Sequence, residues 1–293
     1  MSNSDFVFID SGVGGIPYMT TLLEKKPEAS CAYVADTANF PYGTKSHEQI
    51  VKSVSSLVKK ICCRFSPSVI VVACNTISVN ALETLRADFS EEQCGVKFVG
   101  TVPAIKLASK LSKKRKIGLL ATEATCKNPY NLELKEKFAS DCHLFLREDG
   151  ELVSYIEHNA FTASRSELLQ AVRPAVDFFR QNDCDVIILG CTHFLNIKDV
   201  FVEECGSQIA VVDSVDGVVR HALDVWGDFK GGKKLVSSPL RREGRTQQGA
   251  SEGETSPSYK ISRLFVTSFS DKEEALQYKV LCDRFGINFE GIL

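Results

Sequence analysis

The chain has 293 residues, which at about 150 residues per domain points to roughly two domains. Its hydrophobic fraction of 44% and charged fraction of 25% are ordinary for a soluble globular protein, and a net charge of −2 favours neither a nucleic-acid partner nor an anionic membrane surface. Eleven scattered cysteines, odd in number and without a Cys-x-x-Cys pair, argue against a disulfide framework or a zinc site and for reduced thiols in a cytoplasmic chain.

Residues 1–5 lack a basic segment and no apolar run approaches a membrane span, so neither a signal peptide nor a membrane anchor is expected. Phe6–Ile9 predicts a strand running into Asp10-Ser11-Gly12-Val13-Gly14-Gly15, with a helix from about Ile16. The third glycine comes too early for a dinucleotide fingerprint. Two readings stay open. The turn offers backbone N–H groups to a carboxylate, or it is simply a tight turn with Asp10 as a helix cap. Ala32–Ala35 predicts a second strand, and residues 36–45 a loop. Tyr42, between Pro41 and Gly43, places an aromatic hydroxyl where it can touch a ligand. Ser46-x-x-Gln49 is a capping box that opens a helix with Ile50, Val54, Leu57, Val58 and Ile61 on one face.

Val69–Ala73 is an unbroken run with no polar residue and predicts a strand buried on both faces. It ends in Cys74-Asn75-Thr76. Ligands bind at the carboxyl ends of parallel strands, so this thiol is placed for chemistry. A helix over Val79–Phe89, with its first turn at or just after Cys74, is expected to lower the thiol pKa. Strands follow at Lys97–Val99 and Lys116–Ala121.

The pattern then repeats. Val186–Leu189 predicts a buried strand, Gly190 takes the place of Ala73, and Cys191-Thr192-His193 comes next. Cys31 aligns with Cys142, Cys74 with Cys191, and the Lys97 strand with the strand near Ala210, at offsets of 111, 117 and 113 residues. Ser164-x-x-Glu167 caps a long helix that Pro174 is placed to bend. Val211–Val212 predicts a strand before a helix through Trp226, and Leu264–Thr267 and Asp271–Phe285 the last strand and helix. Arg241–Ser258 is nearly devoid of apolar side chains and reads as an exposed insertion within about 237–258. The expected fold class is α/β, in two similar halves that are each a mostly parallel sheet flanked by helices. Residues 1–99 plus 213–293 form the first and 100–212 the second.

Four blocks carry a resemblance: residues 10–15, Ala35-Asp-Thr-Ala38 with 41–46, Ala73-Cys-Asn-Thr76, and Gly190-Cys-Thr-His193. In them the chain resembles the cofactor-independent two-cysteine aspartate/glutamate racemases, and specifically the glutamate racemases of bacterial cell-wall synthesis, which implies two pseudo-symmetric α/β domains with the active site in the cleft between them. The resemblance implies an enzyme that interconverts L- and D-glutamate with no cofactor and no metal, as a cytoplasmic homodimer that binds neither nucleic acid nor membrane. It implies Cys74 and Cys191 as the catalytic acid/base thiols, with Asp10 and His193 as their helpers. Glu157, in Val153-Ser-Tyr-Ile-Glu157, is implied as a further catalytic carboxylate. Ser11, Tyr42, Gly43, Asn75, Thr76, Thr125 and Thr192 are implied to hold substrate together with Asp10 and His193. Cys74 is implied to take the proton from D-glutamate and Cys191 from L-glutamate.

The chemistry wants this pattern. A single base would return the Cα proton to the face it came from, whereas two acid/base groups on opposite faces invert the centre. Thiols titrate near operating pH and suit the task. An aspartate racemase remains open, because pocket shape sets substrate length. So does a cysteine hydrolase using Cys191 and His193, although that would leave Cys74 without a role.

Overall fold

The computed structural model describes residues 4–89, 95–232, 262–269 and 272–293. The strands in chain order are β1 (Phe6–Asp10), β2 (Cys31–Ala35), β3 (Val69–Val72), β4 (Lys97–Gly100), β5 (Lys116–Ala121), β6 (His143–Glu148), β7 (Val186–Leu189), β8 (Ala210–Val212), β9 (Arg263–Val266) and β10 (Asn288–Ile292). They form two sheets, ordered β10-β9-β2-β1-β3-β4 and β6-β5-β7-β8. Every pairing in both is parallel.

The central strands show why. β1, β2 and β3 are buried at every position. Alternate residues serve two cores: Phe6, Phe8, Tyr33 and Val71 face one, and Val7, Ile9, Val34 and Val72 the other. Such strands need helices on both faces, which parallel connections supply. Helix His47–Phe65 covers one face with its predicted stripe, and its capping box is formed. Helix Arg165–Gln181 is likewise capped by Ser164 and Glu167 and runs unbroken through Pro174.

The duplication is structural. β2-β1-β3-β4 and β6-β5-β7-β8 have the same order. Phe6 faces Val69 as Ile117 faces Val186, and Val69 faces Lys97 as Val186 faces Ala210. One alignment is corrected. Phe6 faces Cys31 while Ile117 faces Leu144, so the counterpart of Cys31 is Leu144 and not Cys142. The shared cysteine draws the alignment two residues astray, a slip that keeps the same face because strand side chains alternate.

Other differences are local. The helix after β3 spans Asn75–Asp88 and so begins four residues before Val79. Residues 36–45 carry two 3₁₀ turns, Thr37–Asn39 and Tyr42–Thr44. Residues Gly150–Asn159 form the helix that carries Glu157. β10, at the sheet edge, is an addition to the expected strands, since Asn288-Phe-Glu-Gly-Ile has only a weak strand pattern. The insertion expected at 237–258 lies outside the described residues. Among the described residues no helix is long and apolar enough to cross a membrane.

Gly118 on β5 gives a stability test. A Cβ built there would lie 2.3 Å from Cδ1 of the fully buried Phe179. Gly118→Ala is therefore expected to lower the unfolding free energy by about 1–3 kcal/mol through overpacking. The measurement is the urea midpoint at unchanged slope.

Candidate active site

β1, β3 and β7 all end at one place. Asp10 is the last residue of β1, Cys74 lies just past β3 as the N-cap of helix Asn75–Asp88, and Cys191 lies just past β7 at the start of the 3₁₀ turn Thr192–Ile197. They line a single small cavity. Asp10, Ser11, Pro41, Tyr42, Gly43, Cys74, Asn75 and Thr76 form one wall, and Thr122, Val153, Cys191, Thr192 and His193 the other. Each cysteine is 5% exposed. Measured for the centre of a water-sized sphere, the cavity is about 20 Å³, room for one water.

The Asp10 carboxylate joins the walls. Oδ1 accepts the Ser11 N–H at 2.8 Å, and Oδ2 accepts the Thr192 hydroxyl at 2.9 Å from the opposite side. Asp10 is not a helix cap, because the N-cap of helix Ile16–Lys25 is Gly15, with no side-chain bond. Thr76 makes a second crossing, with its hydroxyl 2.9 Å from that of Thr122 and 3.3 Å from that of Thr125.

A relay stands beside Cys191. Its Sγ lies 3.7 Å from His193 Nδ1, and His193 Nε2 lies 2.8 Å from Glu157 Oε2. Glu157 Oε2 also accepts the Val13 N–H at 3.0 Å, and Oε1 accepts the Tyr278 hydroxyl at 2.7 Å. The glycine turn thus does present an N–H to a carboxylate, but the carboxylate belongs to the protein. Gly12 and Gly14 permit this approach. A Cβ would fall 2.4 Å from Glu157 Oε2 at the first and 2.7 Å from His193 Nδ1 at the second.

Burial opposes protonation of His193, yet the bonds and charges of Cys191 and Glu157 outweigh it and raise its pKa well above the ordinary value. Burial likewise opposes ionisation of Glu157, but His193, the Tyr278 hydroxyl and the Val13 N–H bring its pKa below the ordinary value. An imidazolium–carboxylate pair results. The Cys74 thiol behaves differently from expectation. Burial and then the charge of Asp10 push its pKa well above the ordinary thiol value, and the N–H of Ile77 offsets only part of this. The helix N-terminus exists, but for a buried thiol beside an anion it does not prevail.

Ten of the twelve residues expected at the site line the cavity. Thr125 stands behind Thr76 and Thr122, and Glu157 behind His193. Tyr42 lines it with its ring, while its hydroxyl donates to Asp36 instead of standing free for a ligand. Sequence reading misses Thr122, whose only signal is its place after β5, equivalent to Ser11 after β1. It also misses Tyr33, whose hydroxyl donates to the Gly12 carbonyl at 2.7 Å and accepts the Gly15 N–H at 3.0 Å, shaping the turn. Tyr278 sits in no motif.

Two matched parallel sheets each bring a cysteine to one small cavity, and the fold is that of an α/β isomerase. The chain belongs to the Asp/Glu/hydantoin racemase family, whose profile matches residues 18–222. It is 42% identical over 218 residues to a glutamate racemase of Treponema pallidum, covering 74% of this chain and 80% of that one. It is 34% identical over 243 residues to a glutamate racemase of Shewanella sp., covering 82% and 86%. Among solved structures it resembles Escherichia coli glutamate racemase in complex with L-glutamate and the activator UDP-MurNAc-ala. The TM-score is 0.78 at 27% identity, over 99% of this chain and 98% of the other.

Asp10 makes stability depend on pH. Its pKa rises from the ordinary 3.8 to about 6, by burial first, against the charge of His193 and the donors Ser11, Cys74 and Thr192. Between these values the folded chain holds a proton that the unfolded chain has lost. The stability from this site is complete below about pH 4 and is lost as pH rises through about 6. Asp10→Asn cannot ionise, so its stability relative to the wild type is expected to improve by about 2–3 kcal/mol from pH 4 to pH 7.5. Urea titrations at the two pH values measure it, and a pH-independent difference contradicts the assignment.

Proposed function

We propose that the chain interconverts L- and D-glutamate by two-base proton transfer at Cα, with Cys74 and Cys191 as the two acid/base groups. The observation that carries this reading is the pair of buried thiols at equivalent strand ends of two sheets, lining one cavity. One thiolate takes the Cα proton, breaking C–H and forming S–H. The other thiol then delivers its proton to the opposite face and becomes the thiolate. The imidazolium of His193 faces the Cys191 sulfur at 3.7 Å. Asp10 orients the Cys74 thiol and accepts the substrate ammonium.

The carbanion needs hydrogen bonds to the substrate carboxylate in a water-poor site. Ser11, Thr76 and Thr192 offer hydroxyls, and Asn75 an amide, on the cavity wall. The buried Asn75 Oδ1 has no hydrogen-bond partner, which suits an acceptor for an ammonium. Gly43 lets the loop approach Thr122, since a Cβ there would be 2.9 Å from its Cβ. Thr125 supports Thr76 from behind, and Glu157 fixes His193. Glutamate is far larger than one water, so binding parts the walls and exchanges the bonds Thr192–Asp10 and Thr76–Thr122 for bonds to substrate. With this reading go the two domains at 1–99 plus 213–293 and 100–212, a homodimer, a cytoplasmic location, and supply of D-glutamate for peptidoglycan synthesis. The curated relatives and the Escherichia coli structure, all glutamate racemases by name, support glutamate as substrate.

The test is proton NMR and circular dichroism on L-glutamate in D2O, with L-aspartate in parallel. Loss of the Cα signal together with decay of optical activity is expected for glutamate, and aspartate is expected to be inert. Exchange of aspartate alone would move the reading to an aspartate racemase. Cys74→Ser and Cys191→Ser are each expected to lower the rate by about 10²–10⁴-fold. Near-normal racemisation by either variant would refute the two-thiol mechanism.

A further inference from the structure

Tyr278 lies on helix Lys272–Phe285, 121 residues beyond Glu157. It is 4% exposed, and its ring stacks on Phe289 with centroids 6.5 Å apart and planes 20° apart. Its hydroxyl donates to Glu157 Oε1 at 2.7 Å, while Oε2 takes His193 and the Val13 N–H. Those contacts hold the carboxylate at both oxygens. Rotation of the carboxyl would break the bond to His193, and the Tyr278 bond opposes that rotation. The geometry therefore points to Tyr278 as a positioning residue for the Cys191 half of the reaction, fixing the Glu157 carboxylate and through it the His193 ring that faces the thiol.

This inference rests on the two-thiol reading. Burial and the charge of Glu157 keep the Tyr278 hydroxyl well above its ordinary pKa, so it stays a donor and moves no proton itself. The helix lies near the end of the chain and carries no racemase motif, yet it reaches the same carboxylate as the turn after β1.

Tyr278→Phe removes only the oxygen and keeps the ring on Phe289. Enantiomers have equal free energy, so kcat/KM must fall equally in both directions, by about tenfold for a lost hydrogen bond to a charged group. The distinguishing readout is the substrate deuterium isotope effect. It is expected to rise for the isomer that Cys191 deprotonates, and to fall for the isomer that Cys74 deprotonates. The acidic limb of the pH profile is expected to move upward, because Glu157 has lost a donor that favours its charge. Tyr278→Phe added to Glu157→Gln should cost nothing further. A loss under twofold, no split between the isotope effects, or independent losses in the double variant overturns the assignment. Should Tyr278→Phe not fold, Tyr278→Leu removes the same donor and is read in the same way. If Cys191→Ser stays active, the two-thiol reading itself fails. If it is inactive and Tyr278→Phe is normal, only the role of Tyr278 fails.

Discussion

The buried bond between His193 Nε2 and Glu157 Oε2, 2.8 Å long, is the contact on which the site depends. The two side chains are 2% and 6% exposed, so each charge alone would be costly. Paired, and with the Val13 N–H and the Tyr278 hydroxyl on the carboxylate, they tolerate burial. The pair also has a mechanical role. It pins the turn after β1 against helix Gly150–Asn159, and it sets the ring of His193 3.7 Å from Cys191. Gly12 and Gly14 are required by this approach, not by a phosphate, because any Cβ there would collide with Glu157 or His193.

The backbone around the two thiols is nearly symmetric, but their surroundings are not. Cys74 heads a helix of 14 residues and has the anion Asp10 as neighbour, whereas Cys191 heads a 3₁₀ turn of six residues and has the cation His193. Racemisation permits this. The equilibrium constant between enantiomers is one, which ties the overall rates together but leaves the two half-steps free to differ. On the proposed two-thiol reading, symmetry is needed only where the substrate's two faces meet sulfur, and the matched strand ends β3 and β7 suit that need.

Much of this is legible in the chain. The apolar runs at β1, β3 and β7 mark buried parallel strands, and both capping boxes form at their sequence signatures. The residues at the ends of those runs reach the cavity because the end of a strand is placed by the sheet itself, almost regardless of the segment after it. Contacts between segments far apart in sequence are not legible. The Thr76–Thr122 bond, the Tyr33 hydroxyl and Tyr278 depend on how the sheets and the last helix dock, and no local spacing records that. The thiol pKa at Cys74 departs from expectation for a related reason. The helix terminus and, by resemblance, the neighbour Asp10 can be read from sequence, but the burial that dominates the shift cannot.

That burial bears on how the reaction starts. Burial pushes both Asp10 and Cys74 toward their neutral forms, Asp10 to a pKa of about 6 and Cys74 well above the ordinary thiol range. Cys74 is no ready base while Asp10 stands beside it as an anion, whereas Asp10 itself is ionised above about pH 6. On the proposed reading, a substrate ammonium brought between the walls adds a cation beside Asp10 and Cys74 and favours the ionised form of each by direct attraction. On that reading, part of the energy of binding an amino acid goes into charging the Cys74 thiol. The near-complete burial of Cys74, on the proposed reading, keeps its thiolate disfavoured until a substrate cation is in place.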